Sequence, residues 1–236
     1  MLTIRRGRPY CLGRMKKAII AAVSVLAAYV CFAADDKTRI SCVGDSITFG
    51  HGIKEAERKY PQQLGAILGE KFDVRNFGVS GTTLLSNGDH PYIKTSAYRN
   101  ALAFNPNIVI IKLGTNDTKP QNWKHAGEFE RDLNAMIDAF SNLETKPKIY
   151  LCYPCPFYQL DGRHINEDRI FNGVIPILRK VARERGLPVI DMHTALSDRP
   201  QFFPDKLHPN GDGARAMAET AAKKILEDLK ATKAAK

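Results

Sequence analysis

One short segment, GDSITFGHG, carries a serine that three different chemistries would suit. Ser46 could cap a helix, belong to a phosphate-binding turn or act as a nucleophile. A serine hydroxyl is a poor nucleophile unless a neighbouring base takes its proton, and a reacting carbonyl also needs hydrogen-bond donors for its developing charge. The segment alone therefore leaves its role open, and the rest of the chain must supply the other groups.

The elements around this segment alternate between short apolar runs and helix-like stretches. Five runs read as strands, TRISCVG, FDVRNFG, NIVIIKLG, KIYLCYP and LPVIDM. Helix-like segments lie between and after them, around 57–70, 97–104, 125–143, 168–185 and 211–230. This alternation predicts an α/β fold with a parallel sheet covered by helices on both faces.

Polar loops follow the predicted strands, where ligands of open parallel sheets bind. They read GDSIT, GVSGTT, GTND and YPCPFY, and FFPDKLHPNGDG precedes the last helix. GDSIT, the glycine of VSGTT, GTND and DKLHP together resemble the four sequence blocks of the SGNH, or GDSL-like, hydrolases. The resemblance covers residues 40–213. It implies a flavodoxin-like three-layer α/β/α sandwich, a five-stranded sheet of order 2-1-3-4-5, and ester hydrolysis through a serine without metal or other cofactor.

The resemblance also implies a role for each matching residue. Ser46 would be the nucleophile, with Asp205 and His208 completing a catalytic triad, and the oxyanion would be bound by Ser46, Gly81 and Asn116. Chemically, His208 would take the serine proton while Asp205 holds the imidazole tautomer. The amides of Ser46 and Gly81 and the side chain of Asn116 would be donors already in place for the oxyanion.

Each assignment has an alternative without catalysis. Ser46 would then cap the following helix, Asn116 would form an Asx turn, and His208 would be a surface histidine. The remaining histidines show no metal-ligand spacing and are interpreted as solvent-facing or packing residues: His51, His90, His125, His164 and His193. Block three reads GTND where many family members have two glycines, a departure at Thr115 that keeps the asparagine.

The N-terminal 33 residues are predicted to be a secretory signal peptide, which leaves residues 34–236 as one hydrolase domain. A basic start is followed by an apolar run over 18–32 and the small residues AA. An uncleaved membrane anchor is the alternative, although the run is shorter than the roughly 20 residues of a spanning helix. Met15 opens a more typical leader than Met1 does. The protein is accordingly expected to be periplasmic or extracellular, without stable membrane insertion after cleavage.

Composition argues against several other classes. The chain has 236 residues, of which 44% are hydrophobic and 25% charged, as in ordinary globular domains. Its formal charge of +10 falls once the leader is removed, since six basic residues leave with it and 29 basic remain against 25 acidic. Without a basic stripe carrying aromatics, no nucleic-acid partner is expected.

Three cysteines remain beyond the predicted leader, Cys42, Cys152 and Cys155. Cys152 and Cys155 form a CxxC pattern, but three extended residues span roughly 10 Å, which is too far for a disulfide unless the chain turns sharply at Pro154. A zinc site would require a second pair. We interpret all three as free core or loop thiols.

The branch of the family that the chain most resembles, through GDSITFGHGI and YPQQLGAIL, is the secreted bacterial sialate O-acetylesterase-like one. The resemblance implies a carbohydrate esterase that removes small acyl groups, acetyl above all, with O-acetylated sialic acid as leading substrate. Two long loops, LLSNGDHPYIKTSAY and CPFYQLDGRHINED, would shape its pocket. Candidate sugar contacts within these loops or near the triad are Phe157, Tyr158, Phe202, Phe203, Asn87, Asp89 and Arg163. Packing in the core is the alternative role for Phe202 and Phe203.

Other functions stay open at this point. The same triad would serve a lysophospholipase, a thioesterase or an arylesterase. A flavodoxin-like nucleotide binder is a non-catalytic alternative, although neither GxxxxGK[ST] nor GxGxxG occurs. A non-catalytic carbohydrate-binding protein would have only one tryptophan as a stacking platform.

Overall fold

The computed structural model describes residues 37–159 and 164–234 of the chain. The predicted signal peptide, residues 1–33, lies outside the described residues. Within the described residues, no helix combines the length and apolar character needed to cross a membrane.

Five parallel strands form one sheet in the order β2-β1-β3-β4-β5. Their bounds are β1 Thr38–Gly44, β2 Phe72–Gly78, β3 Ile108–Lys112, β4 Lys148–Tyr153 and β5 Val189–Asp191. The predicted fold class and strand order are confirmed. The apolar runs of β1, β3 and β4 suit strands that are covered on both faces.

Eight α-helices connect or cover these strands among the described residues. They are α1 Ser46–Phe49, α2 Tyr60–Leu68, α3 Ser96–Ala103, α4 Pro120–Trp123, α5 Phe129–Ser141, α6 Ile175–Arg185, α7 Met192–Leu196 and α8 Gly211–Ala234. The predicted helix over 125–143 is shorter because Ala126–Glu128 forms a 3₁₀ turn first. The one over 168–185 opens with a π-helical segment, Arg169–Val174, before it becomes regular.

A separate hydrophobic core lies on each face of the sheet. One core contains α3, α5 and α6, with Phe129, Phe140 and Leu178 fully or almost fully buried. The other contains α2, α7 and α8, which pack through residues such as Leu64 and Met217. Helix, sheet and helix therefore form the three layers that the sequence predicts.

The switch point of the sheet lies between β1 and β3, which are neighbouring parallel strands. From β1, the chain first adds β2 on one side and then β3, β4 and β5 on the other. In open parallel sheets, a ligand crevice forms at this point, outside the carboxyl ends of the strands. β1 ends at Gly44 and β3 at Lys112, so the GDSIT and GTND loops leave the sheet next to each other.

Candidate active site

Ser46 is the first residue of α1, directly after β1. The turn between them is so tight that a Cβ atom at Gly44 would lie 2.1 Å from Thr48 Oγ1. The helix is capped by Asp45, whose carboxylate accepts a hydrogen bond from the Ile47 amide at 3.0 Å. The capping role considered for Ser46 thus falls to its neighbour, which leaves the Ser46 hydroxyl available.

A continuous hydrogen-bonded chain joins Ser46, His208 and Asp205. Ser46 Oγ lies 2.9 Å from His208 Nε2, and His208 Nδ1 lies 2.6 Å from Asp205 Oδ2. The second oxygen of Asp205 accepts from the backbone amides of Leu207 and His208 at 3.0 and 2.6 Å. The loop before α8 therefore brings His208 and its partner Asp205 to Ser46, which lies 162 positions before His208 in the sequence.

The charge of Asp205 determines the tautomer of His208. Burial raises the pKa of Asp205, but hydrogen bonds from the His208 amide and imidazole and from the Leu207 amide outweigh it, and the pKa lies below its ordinary value. An ionised carboxylate only accepts hydrogen bonds, so His208 Nδ1 donates to it. His208 Nε2 is then left as the acceptor for the Ser46 hydroxyl.

Three donors lie around the serine. The backbone amides of Ser46 and Gly81 donate to no atom of the described residues. Gly81 has a φ of +81°, a conformation that favours glycine. The Asn116 side chain is buried and donates through Nδ2 to the Thr82 carbonyl at 3.0 Å, which fixes the orientation of its amide group.

Ser46, Gly81, Asn116 and His208 line a single cavity of about 290 Å³. The same cavity is lined by residues that the sequence analysis had not connected with the serine, among them His51, Lys119 and His164. Asp205 lies behind His208, against an adjoining cavity. All five predicted site residues are thus at one edge of the sheet, and the arrangement suits acyl transfer from an ester.

The sequence model of the GDSL-like lipase/acylhydrolase family matches residues 42–216. The chain belongs to this family. It is 42% identical to an acetylxylan esterase of Xylanibacter ruminicola over 210 residues, which cover 81% of this chain and 44% of that relative. The chain therefore spans less than half the length of this curated relative. The family is one of lipases and acylhydrolases.

Solved structures with the same fold include an aryl esterase of M. smegmatis, with a TM-score of 0.67 and 19% identity. The match covers 80% of this chain and 99% of that one. A carbohydrate acetylesterase from Sinorhizobium meliloti also has a TM-score of 0.67, with 18% identity and coverage of 81% and 99%. At these identities the two structures support the fold of the hydrolase and nothing finer.

A buried ion pair beside Ser46 was missed by sequence reasoning. Lys112 Nζ lies 3.0 and 3.1 Å from the two carboxylate oxygens of Asp45, and 3.4 Å from Thr115 Oγ1. The ammonium thus links the residue before Ser46 to the residue before Asn116. The sequence does carry a signal, since Lys112 is the one charge in the strand IVIIK.

Asp117 is a second missed residue, and it attaches the Gly81 loop to the GTND segment. Its buried carboxylate accepts from the Leu85 and Leu84 amides at 2.8 and 3.1 Å. Burial is the largest influence and raises the pKa of Asp117 to about 7, against the lowering effect of the backbone amides. Asp117 therefore fixes the loop that contains one predicted oxyanion donor next to the other donor, Asn116.

Most of the aromatic side chains predicted to contact a sugar instead pack or form hydrogen bonds within the protein. Phe157 and Phe203 are buried in the cores, so packing and not stacking on a sugar is their role. The Tyr158 hydroxyl donates to backbone carbonyls of Leu196 and Ser197. Phe202 also packs against a core.

Two of the polar side chains predicted to contact a sugar also form hydrogen bonds within the protein. Asn87 donates to Glu128, and Asp89 accepts from Gln121 and Asn122. Arg163 lies outside the described residues.

The cysteines and His193 of α7 behave as the sequence indicated. Cys42, Cys152 and Cys155 are buried free thiols, and burial raises the pKa of Cys42 to about 12. His193 contacts Glu167 Oε1 at 2.7 Å, and the other Glu167 oxygen accepts from the Phe157 amide. In the part of the chain that is described, no three His, Cys, Asp or Glu side chains are grouped to hold a metal ion.

Proposed function

We propose that the protein is an exported serine esterase that removes acetyl groups from carbohydrate. The observation that carries the proposal is the hydrogen-bonded chain from Asp205 through His208 to Ser46, which ends in a cavity with free amide donors. The 42% identical relative named acetylxylan esterase favours an acetylated carbohydrate as the substrate. O-acetylated sialic acid, favoured by the sequence resemblance, and acetylated xylan are the two sugars to compare.

In the proposed mechanism, Ser46 Oγ attacks the ester carbonyl while His208 Nε2 takes its proton. The carbonyl oxygen becomes an oxyanion bound by the amides of Ser46 and Gly81 and by Asn116 Nδ2. His208 then gives the proton to the sugar oxygen as the C–O bond breaks, leaving an acetyl group on Ser46. Water, deprotonated by His208, attacks this acyl-enzyme; the bond from the acetyl carbon to Ser46 Oγ breaks, acetate is released and His208 returns the proton to Ser46 Oγ. Asp205 stabilises the imidazolium in both halves of the reaction.

A panel of esters tests the proposal. Acetate release is measured from acetyl-xylan and O-acetylated sialic acid, beside a lysophospholipid and p-nitrophenyl esters from acetate to octanoate. We expect the highest kcat/KM for acetyl esters and release of acetate from at least one of the sugars. Preference for octanoate without acetate release from any sugar would overturn the carbohydrate proposal in favour of a lipid or aryl ester.

Export is the second part of the proposal, and it rests on the basic, apolar and small-residue order of residues 1–33. N-terminal sequencing of the protein from its native cell envelope is expected to begin near Ala34. A mature protein that still contains Ile20 would contradict cleavage.

A further inference from the structure

The hydrolase has a second cavity directly beside the first, and the two share His51 and His208. The second cavity, of about 230 Å³, is also lined by Gly52, Pro204 and Asn210. The rings of His51 and His208 lie with their centroids 4.5 Å apart and tilted by 50°, so they form a common wall.

We propose that this second cavity binds the neighbouring sugar of an acetylated carbohydrate chain, an inference that rests on the function proposed above. The chemistry determines which way the chain runs. His208 must reach the oxygen of the departing alcohol to give it a proton, so the acetylated sugar lies against His208. The oxyanion donors Gly81 and Asn116 line the first cavity only, which leaves the far side of the shared wall for the rest of the chain.

The size of the two cavities supports one sugar-sized group in each. Pockets for drug-sized ligands have volumes of about 300 to 1,000 Å³, and both cavities are smaller than that range. An oligosaccharide therefore needs both, whereas an acetylated monosaccharide needs only the first.

The lining of the second cavity suits a pyranose ring, which has polar edges and apolar C–H faces. The exposed His51 ring has no hydrogen-bond partner among the described residues, so its nitrogens are available to sugar hydroxyls. Asn210 Oδ1 accepts from the amides of Asp212 and Gly213, whereas no described residue accepts from its Nδ2. Pro204 and Pro209 supply apolar surface.

Open space favours binding at the same place. A Cβ atom built at Gly52 would have no heavy atom within 4 Å. The part of the second cavity beside Gly52, next to His51, is therefore unobstructed.

Matched substrates of different length test the inference. Acetate release is compared between O-acetylated methyl xyloside and O-acetylated xylotriose, and between O-acetylated sialic acid and O-acetylated sialyllactose. For at least one pair we expect kcat/KM to be about tenfold higher on the longer member, which corresponds to about 1.4 kcal/mol.

Two variants assign that advantage to the second cavity. His51→Phe keeps a ring against His208 but has no nitrogens, and Asn210→Ser keeps a helix-capping oxygen but has no amide donor. Both are expected to reduce the ratio of long to short substrate towards one. Asn142→Ser, on an exposed residue at the end of α5, is the matched control and should keep the wild-type ratio.

The outcomes separate this inference from the function on which it rests. Equal kcat/KM on both members of each pair, or a ratio unchanged in both variants, would overturn the second subsite and leave the acetylesterase proposal standing. Absence of acetate from all four sugars, with p-nitrophenyl acetate still hydrolysed, would overturn both.

Discussion

The Lys112 ammonium lies 3.0 Å from the Asp45 carboxylate, and neither side chain is exposed to solvent. Through this contact, the end of β3 is tied to the residue that caps the helix of Ser46. Because Lys112 also lies 3.4 Å from Thr115 Oγ1, the same ammonium contacts the segment that contains Asn116. One buried charge thus links the proposed nucleophile to a proposed oxyanion donor.

Lys112→Met should destabilise the fold by about 3–5 kcal/mol, because it leaves the Asp45 carboxylate buried without its partner. Urea denaturation measures the loss. Adding Asp45→Asn to the same chain should restore part of it, since both charges are then gone. Lys180→Met, which breaks the exposed contact to Glu130, is the control and should change the midpoint of the urea transition little. Equal effects of Lys112→Met and Lys180→Met would contradict this expectation, because breaking the buried pair would then cost no more than breaking the exposed one.

Ser46→Ala and His208→Ala should each lower kcat for p-nitrophenyl acetate by several orders of magnitude while the domain remains folded, since they act as one proton-transfer unit. Asp205→Ala should cost less. Release of p-nitrophenol measures kcat, and circular dichroism checks that each variant is folded. Ser141→Ala is the control for the loss of a serine hydroxyl. Full activity of Ser46→Ala would refute the mechanism.

Asn116→Ala should lower kcat about 100- to 1,000-fold, or about 3–4 kcal/mol, and change KM little, because one donor to the oxyanion is lost. The variant also loses the hydrogen bond to the Thr82 carbonyl, so its melting temperature must be measured beside its kinetics. A lower melting temperature with kcat preserved would make Asn116 a structural residue only.

Asp117 should make the free energy of unfolding depend on pH. Burial raises its pKa in the folded protein to about 7, whereas an unfolded chain releases this proton near pH 4. Between these values the native state holds more protons, so the stabilising contribution is complete below pH ~4 and lost as pH rises through about 7. The unfolding free energy of the wild type should therefore fall relative to that of Asp117→Asn as the pH rises over this range. A difference that stays constant from pH 4 to 8 would contradict the raised pKa.

The sheet and the site residues are predictable from sequence for a physical reason. Strands covered on both faces are continuous apolar runs, and their carboxyl ends meet at one edge. The sequence alone therefore predicts that the GDSIT and GTND loops lie next to each other. The DKLHP loop could be added through the family resemblance.

Contacts that depend on three-dimensional packing could not be predicted in this way. Lys112 and Asp45 are 67 positions apart, and their pairing depends on the register of β1 against β3. The sequence gives no sign that His51 differs from a solvent-facing or packing histidine, and only the fold brings its ring against His208. The aromatic residues near the triad were ambiguous because core and binding-site aromatics have the same composition.

Acetate release from an acetylated carbohydrate by the wild type and by Ser46→Ala, in parallel, tests the central claim most directly. The substrates are acetyl-xylan and O-acetylated sialic acid, and acetate is quantified over time at equal protein concentration. The account predicts steady release from at least one sugar by the wild type and none above background by the variant. Release by Ser46→Ala at the wild-type rate, or none from either sugar by the wild type, would contradict it.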